Sequence, residues 1–262
     1  MKKIRTDDYI FEHFNVGSID DIRKLIMAGK VLNNNEPVYK ASDKIDPLKA
    51  HIRFKNVKQF VSRGGLKLKH AIDALGLEVK DKVMLDIGSS TGGFTDCALQ
   101  HGARFVYAVD VGTNQLDYKL RVDDRVCVME QTNFKETVIE NFDPLPEVIS
   151  IDVSFTSIVP ILRHIESLFS QPLNIAALIK PQFESYLEER EENGIITNPD
   201  THFQVIQRVL AEAETLGFNV QAIEKSPITG TKGNTEYLFF ISNKKENKYA
   251  ITTKDISSVV YG

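Results

Sequence analysis

The sequence has 262 residues, of which 42% are hydrophobic and 26% charged, a composition typical of a soluble globular protein. No apolar run approaches the roughly eighteen residues of a membrane span, and no apolar segment follows the charged N-terminus, so we expect a cytoplasmic protein that does not contact membranes. Cys97 and Cys127 are too few and too scattered for a disulfide framework or a zinc site, so we expect two buried thiols and no bound metal.

Basic charge is concentrated at the N-terminal end of the chain, although the formal net charge of the whole is −4. Residues 1–70 contain 15 lysines and arginines against 8 acidic residues, and the remainder contains 17 against 28. Such a division suggests a domain that binds phosphate groups, joined to a second domain that does not need to bind them. From charge alone, a basic surface that is merely solvated remains the alternative.

Residues 1–60 predict a small α+β domain of two helices and a hairpin. The first helix is expected over residues 6–14. The second begins after Ser18, with Asp21 at the capping-box position, and stops at Gly29. The hairpin follows directly, because an Asn-Asn pair between two short extended pieces tolerates the left-handed conformation of a tight turn.

Residues 61–245 predict an α/β domain, and residues 246–262 a C-terminal tail. Short apolar strands alternate with amphipathic helices, which is the pattern of a Rossmann-like, mostly parallel sheet covered on both faces. The clearest helices are expected at residues 157–169 and 203–217. The acidic stretch 188–194 predicts a solvated loop, with a lid as the alternative. The seven candidate strands are Val83–Asp86, Phe105–Asp110, Val126–Met129, Val148–Asp152, Ala176–Ile179, Phe218–Ile223 and Tyr237–Ile241.

A glycine-rich stretch, "LDIGSSTGGFTD" over residues 85–96, follows the first strand of this domain and opens a helix. In such folds this turn binds ligands, because glycines let the backbone approach closely and the helix offers free N–H groups. The spacing is not the G-x-G-x-x-G of a dinucleotide site, which disfavours a nicotinamide-dependent dehydrogenase. Asp86 at the end of the strand would repel a pyrophosphate and suits a ligand that carries an ammonium group.

The second strand supplies an acceptor for ribose hydroxyls, because Asp110 ends it 24 residues after Asp86. Residues 130–133, after the third strand, are expected beside an adenine. Together these features favour S-adenosylmethionine as the cofactor, and a glycine turn that only joins a strand to a helix remains the alternative. The candidate cofactor contacts are Asp86, Gly88, Ser90, Gly92, Gly93, Phe94, Asp110, Asn133 and Asp152.

Four charged residues of alternating sign are expected at one edge of the sheet. Asp152 and Lys180 end the fourth and fifth strands, Lys67 opens the helix before the first strand, and Glu236 begins the last strand. Ligands bind outside the carboxyl ends of parallel strands, so these side chains are expected to meet in one cleft.

Methyl transfer to a ribose hydroxyl would give these charges a role, because the hydroxyl must lose its proton as it attacks. A lysine serves as the base only if its pKa falls from about 10.4 towards neutrality through burial or a neighbouring cation. We therefore predict Lys180 as the base, with Pro181 fixing the chain beside it. Taken alone, Asp152 and Lys180 could also form a purely structural ion pair.

These residues resemble a known family. The motifs "VSRGGLKL", "DIGSSTGGFTD", "VDVGTNQLDYKLR", "DVSF", "LIKPQFE" and "GNTEYLFF", in this order, are similar to the TlyA-type proteins, historically called hemolysins, among the FtsJ-like ribose 2′-O-methyltransferases. The likeness extends from Lys3 to about Ser242. It implies a catalytic Lys-Asp-Lys-Glu tetrad at Lys67, Asp152, Lys180 and Glu236.

The resemblance also implies a substrate and a way of holding it. Such proteins methylate cytidine riboses in ribosomal RNA, which makes ribosomal RNA or ribosomal subunits the expected partner. The N-terminal domain resembles a small RNA-binding domain shared with a ribosomal small-subunit protein. The implied RNA contacts are Arg5, Arg23, Lys24, Lys30 and Arg63.

Two departures from the family pattern are visible. The hairpin turn usually reads Asn-Gly in that domain and is Asn34-Asn35 here, and the segment 130–133 matches loosely. An RNA-binding protein with an inactive methyltransferase domain remains an alternative, and so does a membrane-active hemolysin, although no signal peptide, span or long amphipathic helix is present in the sequence. The pattern does not determine the oligomeric state.

Overall fold

The computed structural model describes residues 3–14, 16–55, 59–190, 194–243 and 251–262. The chain divides into two compact units, Met1–Gln59 and Phe60–Gly262. We call them the N-terminal unit and the C-terminal unit.

The N-terminal unit combines two helices with five short strands. The predicted capping box is confirmed, because the Asp21 N–H donates to Ser18 Oγ and the Ser18 N–H donates to Asp21 Oδ2. The hairpin turn is confirmed as well, since Asn34 and Asn35 have φ values of +52° and +66°. The elements are β1 (Ile4–Arg5), α1 (Thr6–His13), α2 (Ile19–Met27), β2 (Val31–Asn33), β3 (Glu36–Pro37), β4 (Lys44–Ile45) and β5 (Ile52–Phe54).

Two sheets and one apolar cluster hold this unit together. Strand β1 pairs with β4 in an antiparallel ribbon, and β2 lies between β3 and β5 in an antiparallel sheet. The cluster takes side chains from both helices and both sheets. We therefore expect that neither sheet is stable without the rest of the unit. Its buried members are Ile10, Ile22, Ile26, Val31, Val38, Ile45 and Ile52.

The C-terminal unit is built on a seven-stranded, mostly parallel sheet, which confirms the predicted Rossmann-like fold. The strand order is β11-β12-β10-β9-β6-β7-β8. Strand β12 runs in the opposite direction to the other six. All seven strands lie where the sequence predicts them, with ends that differ by up to two residues. They are β6 (Val83–Ile87), β7 (Phe105–Val109), β8 (Val126–Met129), β9 (Val148–Ile151), β10 (Asn174–Ile179), β11 (Asn219–Lys225) and β12 (Tyr237–Ser242).

Helices cover both faces of this sheet. Successive side chains of a strand point to opposite faces, so Leu85 contributes to one apolar cluster and Met84 to the other. Residues of α6, α8 and α9 pack in the Leu85 cluster, and residues of α3 and α4 in the Met84 cluster. The helices are α3 (Gly65–Leu75), α4 (Gly93–Gln100), α5 (Tyr118–Arg121), α6 (Val159–Leu168), α7 (Pro181–Glu184), α8 (Pro199–Thr215) and α9 (Thr253–Tyr261).

Two segments differ from the expectation. The described part of the predicted tail, residues 251–262, contains α9, and its Ile256 and Val260 are buried in the Leu85 cluster. The acidic stretch 188–194 is partly structured, since Leu187–Glu189 forms a 3₁₀ turn and Glu189 pairs with Arg208 at 2.8 Å. Residues 191–193 of that stretch lie outside the described residues.

No helix within the described ranges is long and apolar enough to cross a membrane. In the same part of the chain, no three His, Cys, Asp or Glu side chains come together as ligands for a metal ion.

Candidate active site

The glycine turn between β6 and α4 brings the backbone against its neighbours. Gly88 and Gly92 have φ values of +85° and +90°, in the left-handed region. A Cβ atom on Gly88 would lie 2.6 Å from the carbonyl oxygen of Asp152, and one on Gly93 would lie 2.2 Å from Ser62 Oγ. Side chains at these positions would therefore displace the chain that approaches them.

A cavity of about 640 Å³ opens beside this turn, at the carboxyl ends of β6, β7 and β9. Its polar lining includes five of the predicted cofactor contacts. Apolar side chains such as Phe134 and Ile161 line another part of it. The predicted contacts that line this cavity are Gly88, Ser90, Asp110, Asn133 and Asp152.

The remaining predicted glycine-loop contacts lie elsewhere. Gly93 and Phe94 line a smaller neighbouring cavity, and a Cβ atom on Gly92 would meet the side chains of Leu116 and Leu120. Gly92 therefore lines neither cavity and contributes to the turn by leaving room for these two leucine side chains.

Asp110 is anchored from two sides by the backbone. Its Oδ2 accepts from the Ser90 N–H at 2.8 Å and its Oδ1 from the Gly112 N–H at 2.7 Å. A carboxylate offers about four acceptor sites, so each oxygen retains capacity for a ligand hydroxyl. This arrangement fits the predicted ribose contact.

Asp86 corrects the prediction that it meets a ligand's ammonium group. Its side chain is fully buried and accepts hydrogen bonds from Thr95 Oγ1 at 2.7 Å and Ser150 Oγ at 2.8 Å. Burial raises the pKa of Asp86 to about 6, against the opposing effect of these two hydrogen bonds. The physical reason is that β6 continues to Ile87, so Asp86 lies inside the sheet rather than at its edge.

Glu130 differs from the expectation that residues 130–133 lie beside an adenine, because it lines neither cavity. Instead of lining the adenine side of a cavity, it accepts hydrogen bonds from the backbone N–H groups of Asn114, Gln115 and Leu116 and from Arg121. The Leu116 N–H and these other donors lower the pKa of Glu130 to about 2. Glu130 thus fixes the loop that carries Gly112 and Gln115 into the cavity wall.

The four predicted charges meet in the second cavity, of about 290 Å³. Lys67 Nζ lies 2.6 Å from Glu236 Oε2 and 3.2 Å from Asp152 Oδ2. Lys180 Nζ lies 2.6 Å from Asp152 Oδ1. The charges therefore form one continuous row, in the order Glu236, Lys67, Asp152, Lys180.

Asp152 joins the two cavities, because it lines both of them. Burial alone would raise the pKa of Asp152, but the ammonium groups of Lys180 and Lys67 outweigh it and hold that pKa below its usual value. The carboxylate is thus charged at neutral pH and keeps both lysines in place.

Lys180 has further neighbours that the sequence did not single out. Its ammonium group donates to Ser154 Oγ at 3.2 Å and lies 6.0 Å from the centre of the Phe183 ring. Pro181 begins the short helix α7 directly after it, a helix that the sequence did not predict. Phe155 packs against Phe183 and is 91% exposed, with a left-handed φ of +64°.

Gly230 also belongs to this cavity. A Cβ atom on Gly230 would lie 2.1 Å from Glu236 Oε1, so a side chain here would displace the carboxylate that holds Lys67. In the sequence, the signal for this contact was the glycine six residues before the acid.

The predicted RNA contacts occupy several environments. In the N-terminal unit, Arg5 and Arg23 both pair with the buried carboxylate of Asp7, at 2.7 and 3.0 Å. Lys24 lies 3.5 Å from Asp21, and Lys30 is exposed at the start of β2. In the C-terminal unit, Arg63 lines the 290 Å³ cavity.

These residues fit S-adenosylmethionine. The larger cavity offers an anchored carboxylate for ribose hydroxyls, apolar side chains for a base, and a glycine turn whose approach to Asp152 leaves no room for a Cβ atom. Combined with a seven-stranded sheet in which one strand is reversed, this site defines an S-adenosylmethionine-dependent methyltransferase.

Comparison with known proteins gives the family. A family model described as FtsJ-like methyltransferase matches residues 60–243. The chain therefore belongs to the FtsJ-like methyltransferase family, as its motifs suggested.

Individual relatives extend over nearly the whole chain. A Bacillus subtilis protein provisionally named as the rRNA methyltransferase YqxC is 43% identical over 244 residues, which cover 92% of this chain and 86% of the relative. The 16S/23S rRNA (cytidine-2′-O)-methyltransferase TlyA of Mycobacterium tuberculosis is 30% identical over 261 residues, 99% of this chain and 97% of the relative. The solved structure of a provisionally named hemolysin from Streptococcus thermophilus is 41% identical, covers 100% of this chain and 95% of that one, and has a TM-score of 0.74.

Proposed function

We propose that the protein methylates a ribose 2′-hydroxyl of ribosomal RNA, with cytidine as the modified nucleoside. The observation that carries this proposal is the row of Glu236, Lys67, Asp152 and Lys180 beside the cofactor cavity, in which all but the partly exposed Asp152 are buried. The names of the relatives from Bacillus subtilis and Mycobacterium tuberculosis support ribosomal RNA as the substrate, and the second of these supports cytidine.

Each member of the row has a role that follows from its contacts. S-adenosylmethionine, when bound, supplies an electrophilic methyl group. As the oxygen–methyl bond forms and the methyl–sulfur bond of the donor breaks, Lys180 with its amine neutral would accept the hydroxyl proton on Nζ, so that the oxygen does not become positively charged. Asp152 Oδ1, at 2.6 Å, and Ser154 Oγ, at 3.2 Å, hold Nζ in position for this transfer.

Lys67 and Glu236 are connected to Lys180 only through Asp152. Lys67 shares Asp152 with Lys180 and in turn is held by Glu236 at 2.6 Å. Because Lys67 and Glu236 are both buried, the loss of either would leave an unbalanced charge in the site. We infer that both orient Asp152 and the approaching hydroxyl.

We further propose that residues 1–60 contribute to RNA binding and residues 61–245 carry the methyltransferase. The excess of basic residues at the N-terminal end supports this division. Affinity that rests on phosphate contacts weakens steeply with salt, so binding that did not change between low and moderate salt would contradict it. A ribosomal substrate would place the protein in the cytoplasm.

The experiment is transfer of labelled methyl groups from S-adenosylmethionine to free ribosomal RNA and to ribosomal subunits, followed by nucleoside analysis. We expect 2′-O-methylcytidine with the wild type and its loss with Lys180→Ala. Base methylation would contradict the ribose assignment, and another 2′-O-methylated nucleoside would contradict cytidine. Cofactor binding without transfer to any ribosomal substrate would favour the alternative of an inactive RNA-binding protein.

A further inference from the structure

The outer face of the small sheet in the N-terminal unit is the feature from which we draw a further inference. Strands β3, β2 and β5 lie side by side, and β2 is hydrogen-bonded to both neighbours. Their register decides which side chains share a face, because directly opposed residues of antiparallel strands point the same way.

One row of opposed residues faces the core. Val31 lies opposite Phe54, and the Val38 N–H donates to the Val31 carbonyl oxygen at 2.9 Å. Val31 and Val38 are buried and Phe54 packs against the same apolar cluster. The rows on either side of this one must therefore face away from the core.

Those two outward rows carry three cations and an aromatic ring. In one row, Leu32 lies between Pro37 and Arg53. The other row follows from extending the register by one residue beyond the paired strands, which places Lys30 between Lys55 and Tyr39. On the Lys55 side, the Lys55 N–H donates to the Lys30 carbonyl oxygen at 2.7 Å; on the Tyr39 side, the hydrogen bond of Val38 to Val31 is the last that is present among the described residues. We call Lys30, Tyr39, Arg53 and Lys55 the sheet patch.

The sheet patch contains no acidic residue, and its cations are available. Lys30, Arg53 and Lys55 are exposed, and none of the three forms an ion pair within the described part of the chain. Arg53 makes one hydrogen bond, to Asn35 Oδ1 at 3.0 Å, and a guanidinium has five donors. By contrast, Arg5, Arg23 and Lys24 are all paired with aspartates of their own unit.

Tyr39 gives the patch a second chemistry. Its side chain is 77% exposed, and it follows Val38, which is hydrogen-bonded to Val31 and buried. Exposed aromatic rings interleaved with cations suit single-stranded or looped RNA, where phosphates meet the cations and an unpaired base stacks on the ring.

We propose that the sheet patch is an RNA-binding surface of the N-terminal unit, with Lys30, Arg53 and Lys55 on phosphates and Tyr39 under a base. This inference rests on the proposed function, because it takes ribosomal RNA as the partner. It moves the main contact from the helices, where the sequence suggested it, to the sheet.

The first test measures binding of the full chain to deproteinised ribosomal RNA at several salt concentrations. The triple variant Lys30→Gln, Arg53→Gln, Lys55→Gln should bind at least about tenfold more weakly and lower the salt slope by about 2, since each phosphate contact contributes about 0.7 to 0.9. The matched control is Lys80→Gln, Arg163→Gln, Lys254→Gln, which removes the same charge from exposed positions of the C-terminal unit. Equal effects of the two triples would overturn the proposal.

The second test separates stacking from charge. Tyr39→Leu should weaken RNA binding about tenfold through lost stacking, whereas Tyr39→Phe should bind like the wild type. Equal binding by all three would overturn the role of the ring.

Two further outcomes keep the inference apart from the proposed function. If the wild type methylates ribosomal RNA but the sheet-patch triple binds RNA as tightly as its control, the role of the sheet patch is contradicted. The proposed enzyme activity is then unaffected. If the triple loses affinity for intact subunits but not for deproteinised RNA, the partner of the patch is a ribosomal protein and the inference is wrong.

Discussion

Asp152 is the residue on which the two cavities of the C-terminal unit converge. It lines both, and its two oxygens hold Lys67 and Lys180. Removing Lys180 leaves Asp152 still balanced by Lys67, whereas removing Lys67 would leave the buried Glu236 without its partner. Lys180 variants should therefore fold, which makes the proposed proton acceptor accessible to mutation.

The buried carboxyl of Asp86 makes a prediction about stability and pH. Below its usual pKa of 3.8 the group is neutral in both the folded and the unfolded chain. As the pH rises, the unfolded chain loses this proton first, so the folded state is destabilised until Asp86 itself ionises at about 6. The difference in unfolding free energy between Asp86→Asn and the wild type should therefore change by about 3 kcal/mol in favour of the variant as the pH rises from 4 to 7.

Urea unfolding at a series of pH values measures this difference. Thr95→Val is a useful companion variant, because it removes a hydrogen bond to Asp86 and should raise its pKa further. A constant difference between Asp86→Asn and the wild type across this range would show that Asp86 ionises normally in the fold.

The glycine turn allows a clean comparison of two residues with the same backbone angle. Gly88 and Gly217 both have a φ of +85°, but a Cβ atom would meet the Asp152 carbonyl in the first and nothing within 4 Å in the second. Alanine at either site should lower the free energy of unfolding by about 1 to 2 kcal/mol, because it must adopt the left-handed conformation. Gly88→Ala should lower it further and should also weaken the binding of S-adenosylmethionine.

Unfolding in urea and cofactor titration test both variants together. Equal stability and equal cofactor affinity of Gly88→Ala and Gly217→Ala would contradict the close approach of the turn to Asp152.

At the scale of elements, the loop between β7 and α5 depends on an acid from the end of β8. Glu130 accepts three consecutive backbone N–H groups of this loop. Glu130→Gln would lose the negative charge, which strengthens these hydrogen bonds and pairs with Arg121. The Kd for S-adenosylmethionine should then rise about tenfold.

Isothermal titration gives this Kd directly. The control is Glu140→Gln, an exposed acid with the same charge change in the same part of the chain. If Glu130→Gln binds the cofactor as Glu140→Gln does, the loop keeps its shape without Glu130.

The seven strands of the C-terminal unit and its helices α6 and α8 could be predicted because their apolar patterns are long and regular, whereas α9 lies in the segment predicted as a tail. Strands β1, β4 and β5 could not, since two or three residues are too few for an alternating pattern. Asp86 was misassigned for a different reason: the predicted end of β6 was one residue short, and the further residue moves Asp86 from the edge of the sheet into its interior.

The meeting of the four charges in one cavity is the part of the site's geometry that the sequence predicted most closely. Topology alone brings the ends of β9 and β10 together, so Asp152 and Lys180 could be expected as neighbours. The contacts of Glu130 and Ser154 depend on side-chain directions in loops, which no periodic pattern encodes.

At the scale of the whole molecule, the end of the described chain belongs to the core of the C-terminal unit. Ile256 of α9 is buried among residues of the sheet and of α8. Ile256→Ala should lower the free energy of unfolding by about 3 kcal/mol, because it leaves a cavity in this cluster. Lys254→Ala, exposed in the same helix, should change it by less than about 0.5 kcal/mol.

Chemical denaturation of the two variants measures this difference. If Ile256→Ala is as stable as Lys254→Ala, α9 does not contribute to the core, and the sequence-based description of a tail is correct after all.

The central claim is that Lys180 accepts the proton during ribose methylation. Its most direct test is the single-turnover rate of methyl transfer to ribosomal RNA, with saturating S-adenosylmethionine, for the wild type, Lys180→Gln and Lys69→Gln. Lys69 lies in α3 two residues after Lys67 and pairs with Asp73, so it controls for the loss of a lysine near the site.

We predict that Lys180→Gln binds the cofactor normally but transfers methyl groups at least about 100-fold more slowly, the usual contribution of a general base, while Lys69→Gln matches the wild type. A rate for Lys180→Gln within a few-fold of the wild type would contradict this role and leave the row of charges as a structural ion-pair network.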